Sequence, residues 1–480
     1  MSEQVSKGSN ACRGQLPLWL SVMPVALLLT ALIALLITDG ADAINAWSPV
    51  ALLSAAAVSV LSAMAWRRCR RDELWDGMRR SARQILPAVP LLALIGLVST
   101  TWMLGGVVPT LIDYGLESLN HTFFLAIACV SCAIVSVLTG SSWTTIATVG
   151  VAFMGIGQVM GYGEGWVAGA IISGAYFGDK VSPLSDTTVV ASSSCGVDLF
   201  THIRYLMFTT LPALTVALAV FSCVGVFGGM ELTAASDGEL LDALHSSFNI
   251  TPWVLLVPAI TIGLIACRIN TVLVLTVSAA LGLVSMFATQ PQIVEQISVV
   301  NSLLADTSIA TGNARLDALV ETSGLKGMLP TIELVLCAMV FGGAMIGTGM
   351  LRRVSEAFTS HLRKRTSIVG ATVGSGLLLN SCTADQYLSI IIGANMYRDV
   401  YDRFGLENRL LSRTLEDSVS VTSVLIPWNS CGVTQSAVLG VSTLVYLPYC
   451  IFNYLSPVMT LLVAWTGFKI RTLATELQTR

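Results

Sequence analysis

The 480-residue chain has very little charge: 11% of its residues are Asp, Glu, Lys or Arg, whereas 54% are hydrophobic. Soluble domains usually carry about a quarter charged residues, so this chain could not cover a soluble fold with polar surface. Its mean hydropathy is +0.75, and several apolar runs reach the roughly 18 residues that a helix needs to cross a bilayer. The scarcity of charge therefore excludes a soluble protein and predicts an all-α polytopic membrane protein.

The sequence also lacks the motifs of several chemical functions. It contains no P-loop and no dinucleotide-type glycine motif, which argues against ATP-driven transport. The four histidines show no ligand spacing, and the one C-x-x-C motif, Cys129 to Cys132, lies in a continuous apolar run. No nucleophile–base–histidine set is present. We therefore expect no cofactor and no enzyme activity, but a transporter that draws its energy from an ion gradient.

Apolar runs between charged breaks predict about fourteen membrane segments in two sets of seven. The first seven lie near residues 17–38, 46–65, 85–104, 121–139, 142–160, 165–196 and 205–228. The second seven lie near residues 252–267, 270–288, 330–350, 367–383, 385–397, 414–440 and 442–467. The predicted organisation is a cytoplasmic head at 1–16, a first membrane repeat at 17–228, an external linker at 229–251, a second repeat at 252–468 and a cytoplasmic tail at 469–480.

The cationic residues indicate how these segments are oriented. Lys and Arg accumulate in the cytoplasmic loops of membrane proteins. With the N-terminus inside the cell, all but three of the 26 Lys and Arg residues fall on the cytoplasmic side. Arg315 and Lys326 face outward, and Lys180 lies within a span. We therefore predict a multi-pass protein of the bacterial inner membrane with both termini in the cytoplasm.

A weak internal repeat relates the two sets of segments. Thr139 precedes Pro183 by 44 residues, and Thr383 precedes Pro427 by the same 44. In each half a polar turn ends one helix, and a later long span is interrupted by the proline. Because seven is an odd number, the second set enters the membrane in the opposite sense, as in many secondary transporters. We predict two inverted-topology repeats with Pro-broken helices and helical hairpins.

The interrupted span of the first half contains the groups expected of an ion site. Ionisable groups inside a span cost at least a few kcal/mol each, so by default they mark a transport pathway. Proline frees backbone carbonyls in the preceding turn, and carbonyl, hydroxyl and carboxylate oxygens can replace the hydration shell of a small alkali cation. The predicted ion-binding residues of this half are Ser141, Ser142, Asp179, Ser182, Ser185, Asp186 and Thr187.

The second half repeats this chemistry around Pro427. Its predicted ion-binding residues are Thr383, Asp385, Asp417, Asn429 and Ser430. If the halves pack against each other, the two interrupted spans and the two polar turns meet near the middle of the membrane. Two plainer interpretations stay open: Glu416 and Asp417 could cap the cytoplasmic end of their span, and Lys180 could neutralise a carboxylate of another span.

The segments around both interruptions resemble the NhaC family of sodium/proton antiporters. The resemblance is densest in residues 174–188, 196–204, 385–389, 411–417 and 425–432, and it extends over most of the chain. It implies inverted repeats with broken helices, movement of the site-bearing segments against a scaffold, and a homodimer. Two departures stand out: Ala384 replaces a glycine that is frequent in the family, and residues 341–347 lack the acidic residue often found there.

Sequence and resemblance together favour exchange of Na⁺, or Li⁺, for H⁺ at a shared carboxylate that holds one or the other. Asp186 is the principal predicted acceptor, and Asp179 and Asp385 are the second candidates. Asp186, Ser185 and Asn429 are the candidate Na⁺ ligands.

The alternative function is the Na⁺- or H⁺-coupled transport of a small organic acid or amino acid. The resembling family includes exchangers of malate against lactate, so membership fixes the transporter class better than the substrate. Half-helix N-termini at the broken spans would then face a substrate carboxylate. Trp143, Trp428 and Lys180 would shape the pocket.

Overall fold

The computed structural model describes residues 16–67, 88–227, 234–267, 269–313, 320–359 and 364–470, and the isolated positions 74–75, 78–79, 81, 83, 86 and 316–317. Within these residues the secondary structure is helical, apart from one antiparallel bridge between Thr307 and Thr322. The predicted head at 1–16 and tail at 469–480 lie almost wholly outside the described residues.

Nine α-helices belong to the described part of the first half. They are α1 Leu18–Arg67, α2 Ala88–Leu104, α3 Val107–Ser118, α4 Phe124–Thr139, α5 Ser142–Thr145, α6 Val151–Val159, α7 Glu164–Val181, α8 Asp186–Ser194 and α9 Leu199–Phe227. A π-helical turn, Ile146–Gly150, joins α5 to α6.

The described part of the second half is also helical. Its helices are α10 Ala234–Ser247, α11 Leu256–Ala266, α12 Thr271–Thr289, α13 Pro291–Gln296, α14 Val299–Leu304, α15 Leu329–Gly347, α16 Met350–Thr359, α17 Arg365–Thr383, α18 Gln386–Arg403, α19 Asn408–Leu415, α20 Ser430–Leu439, α21 Thr443–Tyr446 and α22 Ile451–Thr466. A π-helical turn, Glu416–Ser420, continues α19, and a short 3₁₀ turn, Ser423–Leu425, follows it.

The first long helix, α1, contains two membrane spans. Its 50 residues would extend for about 75 Å if it were straight, at 1.5 Å per residue. Instead the ring centroids of Trp19 and Trp66, near its two ends, lie 6.3 Å apart. The helical stretch must therefore fold back on itself, which fits the two spans found at Leu18–Leu35 and Trp47–Trp66.

Membrane-spanning helices are a clear feature of the described residues. Six helical stretches are long and apolar enough to cross a bilayer, and the number rises to nine if each of three sharply bent helix pairs counts as one span. The chain is therefore a multi-pass membrane protein whose described part is predominantly helical. The region predicted as the linker 229–251 contains α10, and α3 forms a short helix that the predicted segments did not include.

The helices that carry the candidate site pack closely because of small residues. α4 and α7 are in extensive contact, and a Cβ atom at Gly174 of α7 would lie 2.0 Å from the carbonyl oxygen of Cys129 on α4. A larger residue would therefore separate the two helices, as expected where small side chains allow close approach in membranes. α2 packs against α12, and α15 packs against α1, so each half contacts the other through these helices.

Candidate functional site

Helix α4 ends in a polar turn that is held by its own hydrogen bonds. Gly140 adopts a left-handed conformation with φ 68°, and the hydroxyl of Ser141 then accepts a hydrogen bond from the backbone N–H of Thr144. The Thr145 hydroxyl donates to the carbonyl of Ser141, and the hydroxyls of Thr139 and Thr145 lie 3.2 Å apart. We call residues 139–145 the first tip.

The same turn recurs 244 positions later, after α17. Ala384 adopts φ 56°, and the Asp385 carboxylate accepts a hydrogen bond from the N–H of Leu388. The Ser389 hydroxyl donates to the carbonyl of Asp385 and lies 2.6 Å from the hydroxyl of Thr383. Residues 383–389 form the second tip, in which each of these contacts matches one in the first tip.

The correspondence at 244 positions continues well beyond the tips. The Ser136 hydroxyl donates to the carbonyl of Ala175, and the Asn380 amide donates to the carbonyl of Val419. Left-handed glycines recur in the same way, as the pairs Gly161 and Gly405, and Gly196 and Gly440. The broken helices also begin in step, since α7 starts at residue 164 and α19 at residue 408.

The two tips differ at the left-handed position, and this difference predicts unequal responses to mutation. A Cβ atom at Gly140 would lie 2.6 Å from the backbone carbon of Leu184, whereas position 384 already carries a Cβ. Because a left-handed conformation also costs an L-residue roughly 1–2 kcal/mol, we expect Gly140→Ala to lower the thermal unfolding midpoint and Na⁺-driven transport. Ala384→Gly serves as the matched control and should change the midpoint little, which fluorescence-detected unfolding in detergent can measure.

Asp179 lies at the end of α7, beside the break at Pro183, and is held by the first tip. One of its carboxylate oxygens accepts hydrogen bonds from the hydroxyl of Ser142 at 2.7 Å and from its backbone N–H at 3.2 Å. The other accepts a hydrogen bond from the hydroxyl of Ser185 at 2.6 Å. The Ser185 hydroxyl also lies 2.9 Å from that of Thr187. Four of the predicted ion-binding residues thus form one buried cluster.

The corresponding position in the second half is neutral. The Ser423 hydroxyl, at the place of Asp179, donates to the side-chain oxygen of Gln386, which stands at the place of Ser142. Asn429 caps α20, and its amide donates to Asn380. This half therefore offers amide and hydroxyl oxygens where the first half has a carboxylate.

Segments of the two halves contact each other around these groups. α8 packs against α18, and α20 packs against the π-helical turn Ile146–Gly150. α8 follows the break at Pro183 and contacts the helix after the second tip. α20 follows the break at Pro427 and contacts the turn after the first tip. The two tips and the two breaks therefore lie in one region of the molecule.

A buried ion pair links the two halves beside this region. Lys180 of α7 binds the carboxylate of Asp417, and the hydroxyls of Ser456 and Thr460 on α22 donate to the same carboxylate. Lys180 is 1% exposed and Asp417 is fully buried. The interpretation of Lys180 as the partner of a carboxylate in another span is confirmed, and the capping interpretation of Asp417 is wrong because its carboxylate is internal and paired.

The remaining predicted residues occupy varied positions. Asp186 is exposed at the first position of α8, and Asp385 is partly buried as the cap of α18. Ser182 donates to the carbonyl of Val137, which fastens the break to α4. The backbone N–H of Ser430 donates to the carbonyl of Ala384. Ser182 thus joins the break at Pro183 to the helix before the first tip, and the Ser430 backbone joins the break at Pro427 to the second tip.

The hydroxyls that bind Asp417 are not among the residues predicted from sequence. Ser456 and Thr460 are one helical turn apart in a largely apolar helix, so they lie on one face. That spacing was the available signal, but it is weak, because small hydroxyl residues are also ordinary packing positions in membrane helices.

Proteins of similar sequence show the family of the chain. Residues 174–468 match the sequence profile described as the Na⁺/H⁺ antiporter family. The chain is 36% identical over 397 residues to the Na⁺/H⁺ antiporter NhaC of Alkalihalophilus pseudofirmus, covering 82% of this chain and 84% of that one. It is 34% identical to the malate-2H⁺/Na⁺-lactate antiporter of Bacillus subtilis, covering 80% and 81% of the two chains.

A third relative, the arginine/ornithine antiporter ArcD of Halobacterium salinarum, is 34% identical over 83% of this chain and 82% of its own length. All three relatives are named as antiporters, and none is named as an enzyme. With a profile match over more than half of its length and relatives above 30% identity over most of it, the chain belongs to the NhaC-type Na⁺/H⁺ antiporter family.

Proposed function

We propose that the protein exchanges Na⁺ or Li⁺ for H⁺ by competition at the Asp179 cluster, with alternating access to the two sides of the membrane. The observation that carries this proposal is the environment of Asp179. Its carboxylate is buried inside a membrane protein, has no ion-paired cation among the described residues, and is surrounded by hydroxyl groups. Such a group can hold either a proton or a small cation.

The structure changes the order of the candidate acceptors. Asp186 ranks first from sequence, but its side chain is exposed, whereas Asp179 is buried and oriented by Ser142 and Ser185. An oriented carboxylate is the better ligand because its geometry is set before the ion arrives. We therefore assign the principal role to Asp179, with Ser185 and Thr187 as neutral ligands, and place Asp186 at the margin of the site.

We further propose that the two halves are inverted repeats. The hydrogen bonds and left-handed residues that recur at a constant interval of 244 support a duplication. The distribution of Lys and Arg supports opposite orientations and cytoplasmic termini in the bacterial inner membrane. Alternating access then follows from movement of the tips and broken helices against α1, α2, α12 and α15, in a chain that we expect to form a homodimer.

Reconstituted protein with an internal pH dye tests the proposed exchange. Adding Na⁺ outside proteoliposomes, with no organic solute present, should cause a rapid pH change that K⁺ and choline do not cause. Silence between about pH 6 and 9 with folded protein would contradict sodium/proton exchange.

A second candidate function is the coupled exchange of a small organic acid or amino acid. It is favoured by the names of two relatives, and by two buried polar atoms whose only described neighbour of this kind is the weakly hydrogen-bonding thiol of Cys431. Those atoms are the indole nitrogen of Trp143 and the hydroxyl of Tyr176. Tyr176 lies close enough to Asp179 to interact with it electrostatically. Uptake of labelled malate, lactate, arginine and ornithine, each with and without Na⁺, distinguishes this function from the first.

A further inference from the structure

Glu416 is a buried carboxylate that forms no ion pair with a described residue. It is fully buried at the start of the π-helical turn Glu416–Ser420, and neither of its carboxylate oxygens has a hydrogen-bond partner in the described part of the chain. An ionised carboxylate buried in this way costs several kcal/mol unless a cation or hydrogen-bond donors accompany it. Some positive group must therefore join Glu416 when it is charged.

Neither of the two buried cations nearby forms an ion pair with Glu416. Lys180 binds Asp417, the residue next to Glu416, and donates to Ser456. The guanidinium of Arg413 lies 4.3 Å from the ring centroid of Tyr205, and none of its nitrogens bonds to a described residue. Lys180 interacts electrostatically with Glu416 but is bound to Asp417, so neutralising Glu416 takes a further cation or a proton.

Oxygen atoms suited to a small cation surround this carboxylate. The hydroxyl of Ser420, four residues further along the π-helical turn, is buried and also has no partner among the described residues. The Thr187 hydroxyl approaches Glu416 from α8, outside hydrogen-bonding geometry. π-helical turns of this kind are frequent at functional sites, because the extra residue redirects side chains and backbone carbonyls.

We propose that Glu416, Ser420 and Thr187 form a second binding site for a monovalent cation, occupied by Na⁺, next to the Asp179 cluster. This inference rests on the proposed function, since it adds a second ion to the same transport region. The two sites share the hydroxyl pair of Ser185 and Thr187, which are 2.9 Å apart. A cation at one site therefore repels a cation at the other, and the second ion binds more weakly than the first.

Counting bound Na⁺ tests this proposal directly. We would measure equilibrium binding of radioactive Na⁺ to purified full-length protein in detergent at alkaline pH, with K⁺ as the competing control. The unmodified protein should bind two sodium ions per chain, and Glu416→Gln should bind one. Gln keeps the size of the side chain and needs no counter-ion, so we expect the variant to fold. Glu164→Gln, at an exposed position on α7, is the matched control and should bind two.

A second variant, Ser420→Ala, tests the same site if Glu416→Gln fails to fold. Ser420→Ala removes one neutral ligand of the Glu416 site. It should weaken Na⁺ binding at that site alone, by about fivefold for the loss of about 1 kcal/mol. Equal binding by Glu416→Gln and the unmodified protein would overturn the second site, and so would complete loss of Na⁺ binding in folded Glu416→Gln. No Na⁺ binding by the unmodified protein would instead contradict the proposed function, so the two failures are distinguishable.

Discussion

Asp179→Asn protein in proteoliposomes should show at least about a hundredfold less Na⁺-driven proton flux than the unmodified protein. The substitution keeps the shape of the side chain and one accepting oxygen, which can face the Ser142 donors. Its amide nitrogen donates where the carboxylate accepted from Ser185, and the negative charge is lost. In a poorly solvated site, attraction between a carboxylate and a cation amounts to several kcal/mol, and each 1.4 kcal/mol changes a binding constant about tenfold. Flux measured with the internal pH dye gives the size of the loss.

Two further variants make this result specific. Asp306→Asn changes an exposed carboxylate that pairs with exposed Lys326, and we expect normal flux from it because surface pairs contribute little. Asp186→Asn should reduce flux less than Asp179→Asn, since Asp186 is exposed. If Asp186→Asn abolishes exchange while Asp179→Asn retains it, Asp186 and not Asp179 is the principal acceptor.

Single substitutions of the buried ion pair should destabilise the protein more than the double substitution does. Lys180→Met leaves Asp417 without its cation, and Asp417→Asn leaves Lys180 without its anion. Removing one member of a buried pair typically costs about 3–5 kcal/mol, because the remaining charge is uncompensated, whereas removing both can be almost neutral. We therefore expect each single variant to unfold at a clearly lower temperature than Lys180→Met/Asp417→Asn.

Thermal unfolding in one detergent, followed by intrinsic fluorescence, measures all three variants on the same scale. Arg352→Met, which breaks an exposed pair with Glu356, is the control and should change the midpoint little. Additive losses in the double variant would show that Lys180 and Asp417 act independently, against the contact seen between them.

The sequence predicted the chain's class and much of its local structure. The helix break at Pro183 and the polar turns after Thr139 and Thr383 are where they were expected. These features depend on neighbouring residues, because proline removes a backbone donor and a glycine in a left-handed conformation ends a helix. The count of fourteen segments stays a prediction, since length and hydropathy identify six to nine spans in the described residues.

Contacts between distant segments could not be predicted in the same way. Asp417 is 237 residues from Lys180, and no local pattern in the chain indicates that these two side chains meet. The orientation of the Asp186 side chain could not be predicted either, although its neighbours are adjacent in sequence. Its neighbours Ser185 and Thr187 are buried, but α8 begins at Asp186 and turns that side chain away from them. Periodicity cannot indicate orientation at a helix start, where the backbone changes direction.

The constant interval of 244 residues between matching contacts shows where the two halves differ in chemistry. Several positions of the first tip and its broken helix have a counterpart 244 residues later with the same local contact. Asp179 corresponds to Ser423, and Ser142 corresponds to Gln386. The hydrogen bond between Ser142 and Asp179 therefore has a counterpart between Gln386 and Ser423. The contact is thus shared, but only the first half has a carboxylate at this pair of positions, and a reciprocal exchange of these four side chains would move that carboxylate to the second half.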